Sequence, residues 1–331
     1  MGHAEEVRRL VETRGEIANR DLVDQLGVSA ATSHRLLQGL VLAGVLERRG
    51  KGRATKYRLR EIRWKERLAG LEEDRVWREV SEQVARIRPL APEEEQSLRY
   101  AATEVINNAI DHSAGRQLEI VADFEADGTT TAYISDDGVG VFRRIREDFG
   151  YASPQEALVQ LEKGKLTSDP SRHSGEGLFF SSKAVSRFRL ESEGVAWVVD
   201  NVIGDSGMGT CNVRRGTRVV LQVVGGKTPR LRDVFAAYTD PETLRFATTR
   251  TTIKLSAFGS SLISRSEAKR VIQRLSSFDR AVLDFSGVDV VGQGFCDEVF
   301  RIFASRHPEV TLEPVGMNEM VEFMVERART R

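Results

Sequence analysis

A multidomain protein is predicted: a mostly helical first block, a larger central α/β block and a small α/β block at the end. Three observations predict it. The chain has 331 residues, enough for two or three domains of ~100 to 200 residues each. Residues 4–60 read helix, helix, helix, hairpin, and residues 246–331 alternate strand and helix. Between them, helix and strand patterns mix around glycine clusters at 138–140 and 175–177.

Composition fits a soluble globular class: 40% of residues are hydrophobic and 30% charged. Net charge is zero, so the total names no partner. Residues 1–60 nevertheless hold 12 Lys or Arg against 7 Asp or Glu, crowded into "ERRGKGRATKYRLR". A basic patch on a neutral protein points to an anionic partner, with a solvated face as the alternative. The two cysteines, Cys211 and Cys296, have no metal-like spacing and suit a reducing compartment. With a charged N-terminus and no apolar run near ~20 residues, the expected location is the cytoplasm.

The first block spans 1–60. "AEEVRRLVETRG" places Val7, Leu10 and Val11 at helical spacing before Gly15. "NRDLVDQLG" is a short helix stopped by Gly27, and "VSAATSHRLLQGLVLAG" starts on Ser29 as N-cap and ends at Gly44. "VLERRGKGRATKYRL" alternates and turns at Gly50 and Gly52, as a hairpin does. Residues 61–92 read as a charged, mostly helical connector with Trp64, Trp77, Val80, Val84 and Ile87 on one seam. The central block is 93–225, a second connector is 226–245, and the last block is 246–331.

In the central block, "ATEVINNAIDHS" has two apolar sides, residues 101, 105, 109 and 102, 106, 110. Glu104, Asn108 and His112 form a polar stripe four apart. An exposed polar face is the alternative reading. Downstream, "TAYISDDGVGV" ends a strand in Asp136, Gly138 and Gly140, a carboxylate beside backbone that can approach a flat ligand closely. "SGEGLFF" opens an apolar helix through Gly175 and Gly177, offering free N–H groups to phosphate. "RRGTRVVLQV" brings Gly216 and Thr217 into a strand.

These four pieces, in this order, resemble the boxes of the GHKL ATPase fold, an α/β two-layer sandwich shared by gyrase, histidine kinases and anti-sigma-factor serine kinases. "NAIDHS" is most similar to the last group. The resemblance implies ATP and Mg²⁺ as cofactors. Asn108 would hold Mg²⁺ and Asp136 would accept from the adenine amino group. Gly138, Gly140, Gly175, Gly177 and Thr217 would line the nucleotide. Glu104 matches the general base of members that hydrolyse ATP or phosphorylate a hydroxyl. Residues 141–174 would form the ATP lid, carrying Lys163, Lys165, Arg172 and His173. His112 has hydrogen bonding as its alternative role. "GEGLFF" lacks the second G-L repeat of histidine kinases, and no histidine lies in 61–100.

The first block resembles winged helix-turn-helix domains. That implies a recognition helix presenting Ser29, Ala31, Thr32, Ser33 and Arg35, with His34 nearby, and wing residues Arg49, Lys51, Arg53 and Lys56 on phosphates. The last block resembles STAS-like domains of anti-sigma-factor antagonists. Where those carry a phosphorylated serine, this chain has Gly292-Gln293-Gly294-Phe295. Asp284, Asp297 and Glu298 read as capping residues, with a metal site as the alternative.

Three functions follow as expectations. The first is a transcription regulator in which Mg-ATP binding governs DNA binding. The second is a serine/threonine kinase of the anti-sigma type. The third is a protein-interaction switch that binds ATP without splitting it. DNA, a protein partner through the STAS-like domain and a homodimer are the expected partners.

Overall fold

The computed structural model describes residues 3–164, 175–238, 250–273 and 275–330. The chain divides into two compact units, residues 1–144 with 180–231 and residues 145–179 with 232–331. This grouping differs from the division expected from sequence. The N-terminal block and both edges of the central block fall in one unit, while residues 145–179 fall with the C-terminal block.

The first unit opens with α1 (His3–Arg14), β1 (Glu16–Ile17), α2 (Asn19–Leu26) and α3 (Ala30–Leu42). Gly27 closes α2 in the left-handed conformation, and Ser29 caps α3 by accepting the Thr32 N–H at 3.1 Å. β2 (Leu46–Arg49) and β3 (Lys56–Leu59) complete a small sheet in the order β1-β3-β2. Val7, Val11, Ile17, Leu22, Leu37 and Leu46 are the fully buried apolar residues of this block.

After two residues, the chain enters β4 (Ile62–Arg67). This stretch is a strand and not the helix expected for 61–92. Ile62 and Trp64 are buried while Arg63 and Lys65 are exposed, the period of a half-buried strand. β4 pairs antiparallel with β5 (Gln117–Phe124), aligning Trp64 with Ile120. It is the edge of a seven-stranded sheet ordered β4-β5-β6-β10-β7-β8-β9. The other strands are β6 (Thr130–Asp136), β7 (Arg187–Ser192), β8 (Val195–Asp200), β9 (Asp205–Thr210) and β10 (Arg218–Val223). Every neighbouring pair is antiparallel.

Two helices cover the β4–β6 side. They are α4 (Glu73–Ile87) and α5 (Pro92–His112). α5 starts with Pro92 and three glutamates in its first turn, matching the positive end of its dipole. Trp77, Val80 and Val84 of α4, Leu98, Ala102 and Ile106 of α5, and Ile120, Ala122, Ala132 and Ile134 of the sheet enclose one narrow core space. The two apolar sides of α5 are buried as their spacing required, from Ala101 to Ala109.

The chain leaves this unit within α6 (Val141–Phe149), continues to α7 (Pro154–Glu162) and returns within α8 (Gly177–Ala184). The segment 226–245 carries a helix, α9 (Leu231–Tyr238). The second unit then runs β11 (Arg250–Lys254), β12 (Ser261–Leu262), α10 (Arg265–Ile272), β13 (Arg280–Asp284) and β14 (Val290–Val291). A continuous rod follows: α11 (Gln293–Cys296), a π-helical stretch (Asp297–Phe303) and α12 (Ala304–Arg306). β15 (Thr311–Val315) and α13 (Glu319–Arg329) close it. β11, β13 and β15 form a parallel sheet with β13 central. The strand–helix alternation read from sequence is present.

Candidate functional site

The helix-turn-helix surface sorts its predicted residues. Ser29, Ala31, His34 and Arg35 are exposed on α3, and Thr32 is half-buried. Ser33 is a correction. It is fully buried, and its hydroxyl donates to the Asn19 carbonyl at 2.9 Å and to the Asn19 side chain, joining α3 to α2. It holds the turn and cannot face a groove. On the wing, Arg49 pairs with Glu47 and Lys56 with Glu16, both at 3.0 Å. Lys51 and Arg53 are exposed and have no carboxylate partner among the described residues.

A buried arginine helps fix this block to the central sheet. Arg88, just past α4, is 6% exposed. Its Nη1 donates to the Thr129 carbonyl and its Nη2 to the Glu125 carbonyl, each at 2.8 Å. Its Nε lies 3.6 Å from Glu12 of α1, and the guanidinium stands 5.6 Å from the centre of the Phe124 ring. Burial pulls the guanidinium below its ordinary range, against the pull of Glu12 and the acids of the β5–β6 turn.

At the far end of β6 four of the predicted residues meet: Asp136, Gly138, Gly140 and Thr217. Asp136 is half-buried, and its Oδ1 accepts the Gly138 N–H at 2.8 Å. The Asp136 N–H donates to the Thr217 carbonyl at 3.0 Å, and the Thr217 hydroxyl accepts the Val141 N–H at 3.0 Å. The end of α5 closes against the same loop, since the Val139 N–H donates to the Ser113 carbonyl at 2.8 Å. A Cβ on Gly138 would overlap that carbonyl, and one on Gly216 would overlap the carbonyl of Asp136. Gly140 and Gly216 have φ of 91° and 71°, where L side chains are strained. The glycines are therefore required by close backbone approach between α5, the β6 loop and β10.

Adjacent acids here are driven in opposite directions. Burial pushes the Asp136 carboxyl above the usual aspartate range, and the charge of Asp137 adds to this. Asp137 lies below that range because its Oδ1 accepts the N–H groups of Gln117 and Arg116, at 2.9 and 2.6 Å. Asn108 is half-buried on α5 and its amide donates to the Glu104 carbonyl at 2.8 Å. Glu104 and His112 are half-buried on the same helix.

Sequence reasoning missed Ser113 and Ser192. The Ser192 hydroxyl donates to the Gly216 carbonyl at 2.9 Å and faces Gly140. Its partner is 24 residues away, so no local pattern marks it.

Residues 7–50 match the IclR helix-turn-helix domain, and residues 267–322 match the STAS-like domain of unknown function (DUF4325). The N-terminal block is an IclR-type helix-turn-helix. DNA-binding transcription regulation is the class of function this domain indicates. The IclR-type match runs from α1 to the end of β2, and neither match reaches the seven-stranded sheet. No curated protein matches the chain.

The STAS-like match begins in α10 and ends in α13. Gly292 caps its α11, and a Cβ there would stand 2.6 Å from the Ile263 carbonyl oxygen. Close backbone approach thus explains this glycine. Asp284 Oδ1 accepts the Ser286 N–H at 2.9 Å, and Asp297 pairs with Arg301 at 3.2 Å. Asp297 and Glu298 lie inside the helical rod rather than at its start, so they do not cap it. No group of three or more His, Cys, Asp or Glu gathers into a metal site among the described residues.

The same unit also holds α7 and Lys163, which the sequence places in the lid segment. Lys163 is 1% exposed. Its Nζ donates to the carbonyls of Val271 and Gln273, at 3.1 and 3.0 Å, at the negative end of α10. Glu156 pairs with Arg270 at 3.3 Å, and the Gln160 amide donates to the Arg270 carbonyl at 3.3 Å. Positions 156, 160 and 163 make one buried polar stripe on α7, so this lysine is committed to α10. Gly177 starts α8 and Gly175 has a φ of 69°. Lys165, Arg172 and His173 lie outside the described residues.

Proposed function

We propose that the chain is a transcription regulator whose central domain takes Mg²⁺-bound ATP and thereby sets its affinity for DNA. The convergence of α5, the Asp136–Gly140 loop and Gly216-Thr217 on one half-buried carboxylate supports this reading. A partly desolvated carboxylate at a strand end, walled by backbone rather than side chains, suits a planar amino-bearing base. The Gly138 N–H donates to Oδ1, Thr217 also hydrogen-bonds this carboxyl, and in this reading Asp136 accepts from an adenine amino group. Thr217 stands beside that carboxylate, and Gly138 and Gly140 keep the wall thin. An asparagine oxygen at Asn108 is the hard donor Mg²⁺ prefers, with the triphosphate supplying the remaining oxygens.

Calorimetry on Asp136→Asn tests the pocket. Wild type should bind ATP in the presence of Mg²⁺, and the variant should lose binding by about tenfold or more. Equal affinity would remove Asp136 from the site. The same variant should melt higher at neutral pH. A carboxyl raised above its unfolded value contributes stability below the aspartate range and loses it as pH rises through the folded value. The gap between variant and wild type should therefore widen from acid to neutral pH.

For DNA, Lys51→Ala with Arg53→Ala should weaken binding alike across sequences and lower the salt dependence by about two phosphate contacts. An unchanged salt slope would take the wing off the backbone. Operator binding measured with and without Mg-ATP tests the coupling, and identical affinities would end it. Glu104 keeps the kinase alternative open, since it stands one turn from Asn108. Phosphate transfer from labelled ATP that disappears in Glu104→Ala would select that alternative. The exposed Met320 and Phe323 on α13 favour a protein partner for the STAS-like domain.

A further inference from the structure

Only Arg60 and Glu61 separate β3 from β4. Beside that junction lies a cavity of about 620 Å³, bounded by the end of α3, the β2–β3 pair and the end of α4. Its size is that of small-molecule sites, typically ~300 to 1,000 Å³. Its lining is strongly cationic. Arg49, Arg58, Arg60, Arg63 and Arg86 face it against two carboxylates, Glu47 and Glu61.

Those two carboxylates are already occupied. Glu47 is shared by Arg49, at 3.0 Å, and Arg58. Glu61 is shared by Arg58, at 3.7 Å, and Arg63, at 2.5 Å. Arg60 and Arg86 have no carboxylate partner among the described residues. The cavity therefore presents a set of paired charges and, in Arg60 and Arg86, two guanidinium forks without a carboxylate partner among the described residues. Arginine forks match carboxylate and phosphate oxygens in pairs. Buried Ile62 and Ile87 supply an apolar wall, and Leu42 is 87% exposed at the edge.

Arg49 is also a wing residue, but the reading end of α3 lies away from this charge. The cavity touches the last residue of α3, while Ser29 stands at its first turn. Thirteen residues at ~1.5 Å each put about 20 Å between the two ends.

We propose that this cavity binds a small organic polyanion, one carrying two or more carboxylate or phosphoryl charges. The ligand would bridge the wing strands to α4. The assignment is independent of whether the central domain takes nucleotide.

The test uses the full chain without nucleotide. Calorimetry with citrate, fructose 1,6-bisphosphate and inorganic phosphate, each against sodium chloride of equal ionic strength, separates carboxylate from phosphoryl ligands. At least one should bind saturably with Kd below about 1 mM. Arg60→Gln with Arg86→Gln should weaken that binding by about tenfold while DNA affinity and melting stay as in wild type. Ala43→Trp, on an exposed wall of the cavity, should block binding independently of charge. No saturation beyond the chloride control would overturn the proposal, as would full binding by either variant. Loss of DNA affinity in the double arginine variant would also overturn it, by assigning the arginines to DNA.

Discussion

Replacing Lys163 with alanine should lower the melting temperature of the second unit by roughly 10 °C. The ammonium is fully buried and donates to two carbonyls at the end of α10. Hydrogen bonds to a charged group contribute about 1.5 to 3 kcal/mol each, and the orphaned carbonyls lose their partner in a dry place. A loss of about 3 kcal/mol is expected, which at this size corresponds to roughly 10 °C. Lys163→Met separates charge from volume, because it keeps most of the packing and should recover only part of the loss. Scanning calorimetry reads the result, and a shift under about 2 °C would mean the lysine is not the fastener described. The same experiment bears on the nucleotide reading. If residues 141–174 behaved as a free lid, cutting this contact would not touch stability at all.

Arg88→Ala should destabilise the first unit by about 3 kcal/mol, because it removes a buried cation bonded to two carbonyls and leaves Glu12 without its partner. The consequence is specific. α1 should exchange its amide hydrogens faster, since Arg88 is the residue that ties Glu12 of α1 to the β5–β6 turn. Arg88→Lys should not rescue, because an ammonium cannot serve three directions of a planar fork. Glu12→Gln should have a far smaller effect, about 0.5 kcal/mol, since that contact is long and partly exposed. Unchanged exchange in α1 would show that other contacts dock the helix-turn-helix.

What could be read from the residues follows a simple division. Local patterns were legible. The apolar sides of α5, Ser29 as cap of α3 and the alternation of the last block each depend on neighbours within a turn or two. The convergence at Asp136 was legible for another reason: each piece needs glycine or a carboxylate at a strand end, and those residue types are conspicuous. β4 was not legible, because six alternating residues are a short signal and Trp64 also fits the helical seam of Trp77 and Val80. Ser33 was misread because its partner, Asn19, sits on another helix. Lys163 was placed only in the 141–174 lid segment, and its bonds to α10 were not legible because its acceptors lie 108 and 110 residues away. Arg88, whose acceptors are 37 and 41 residues off, carried no signal for the same reason.

The two-residue step from β3 to β4 has a mechanical corollary. The DNA-reading block is mounted like a cantilever on the rim of the large sheet, with no slack to absorb rotation. Any twist of that rim is handed on undiminished. In a paired assembly, the gap between the two reading heads would be dictated by the sheets, and the permitted spacing of operator half-sites would be a single value. Splicing a few glycines after Leu59 should relax that gauge and let one protein accept several spacings.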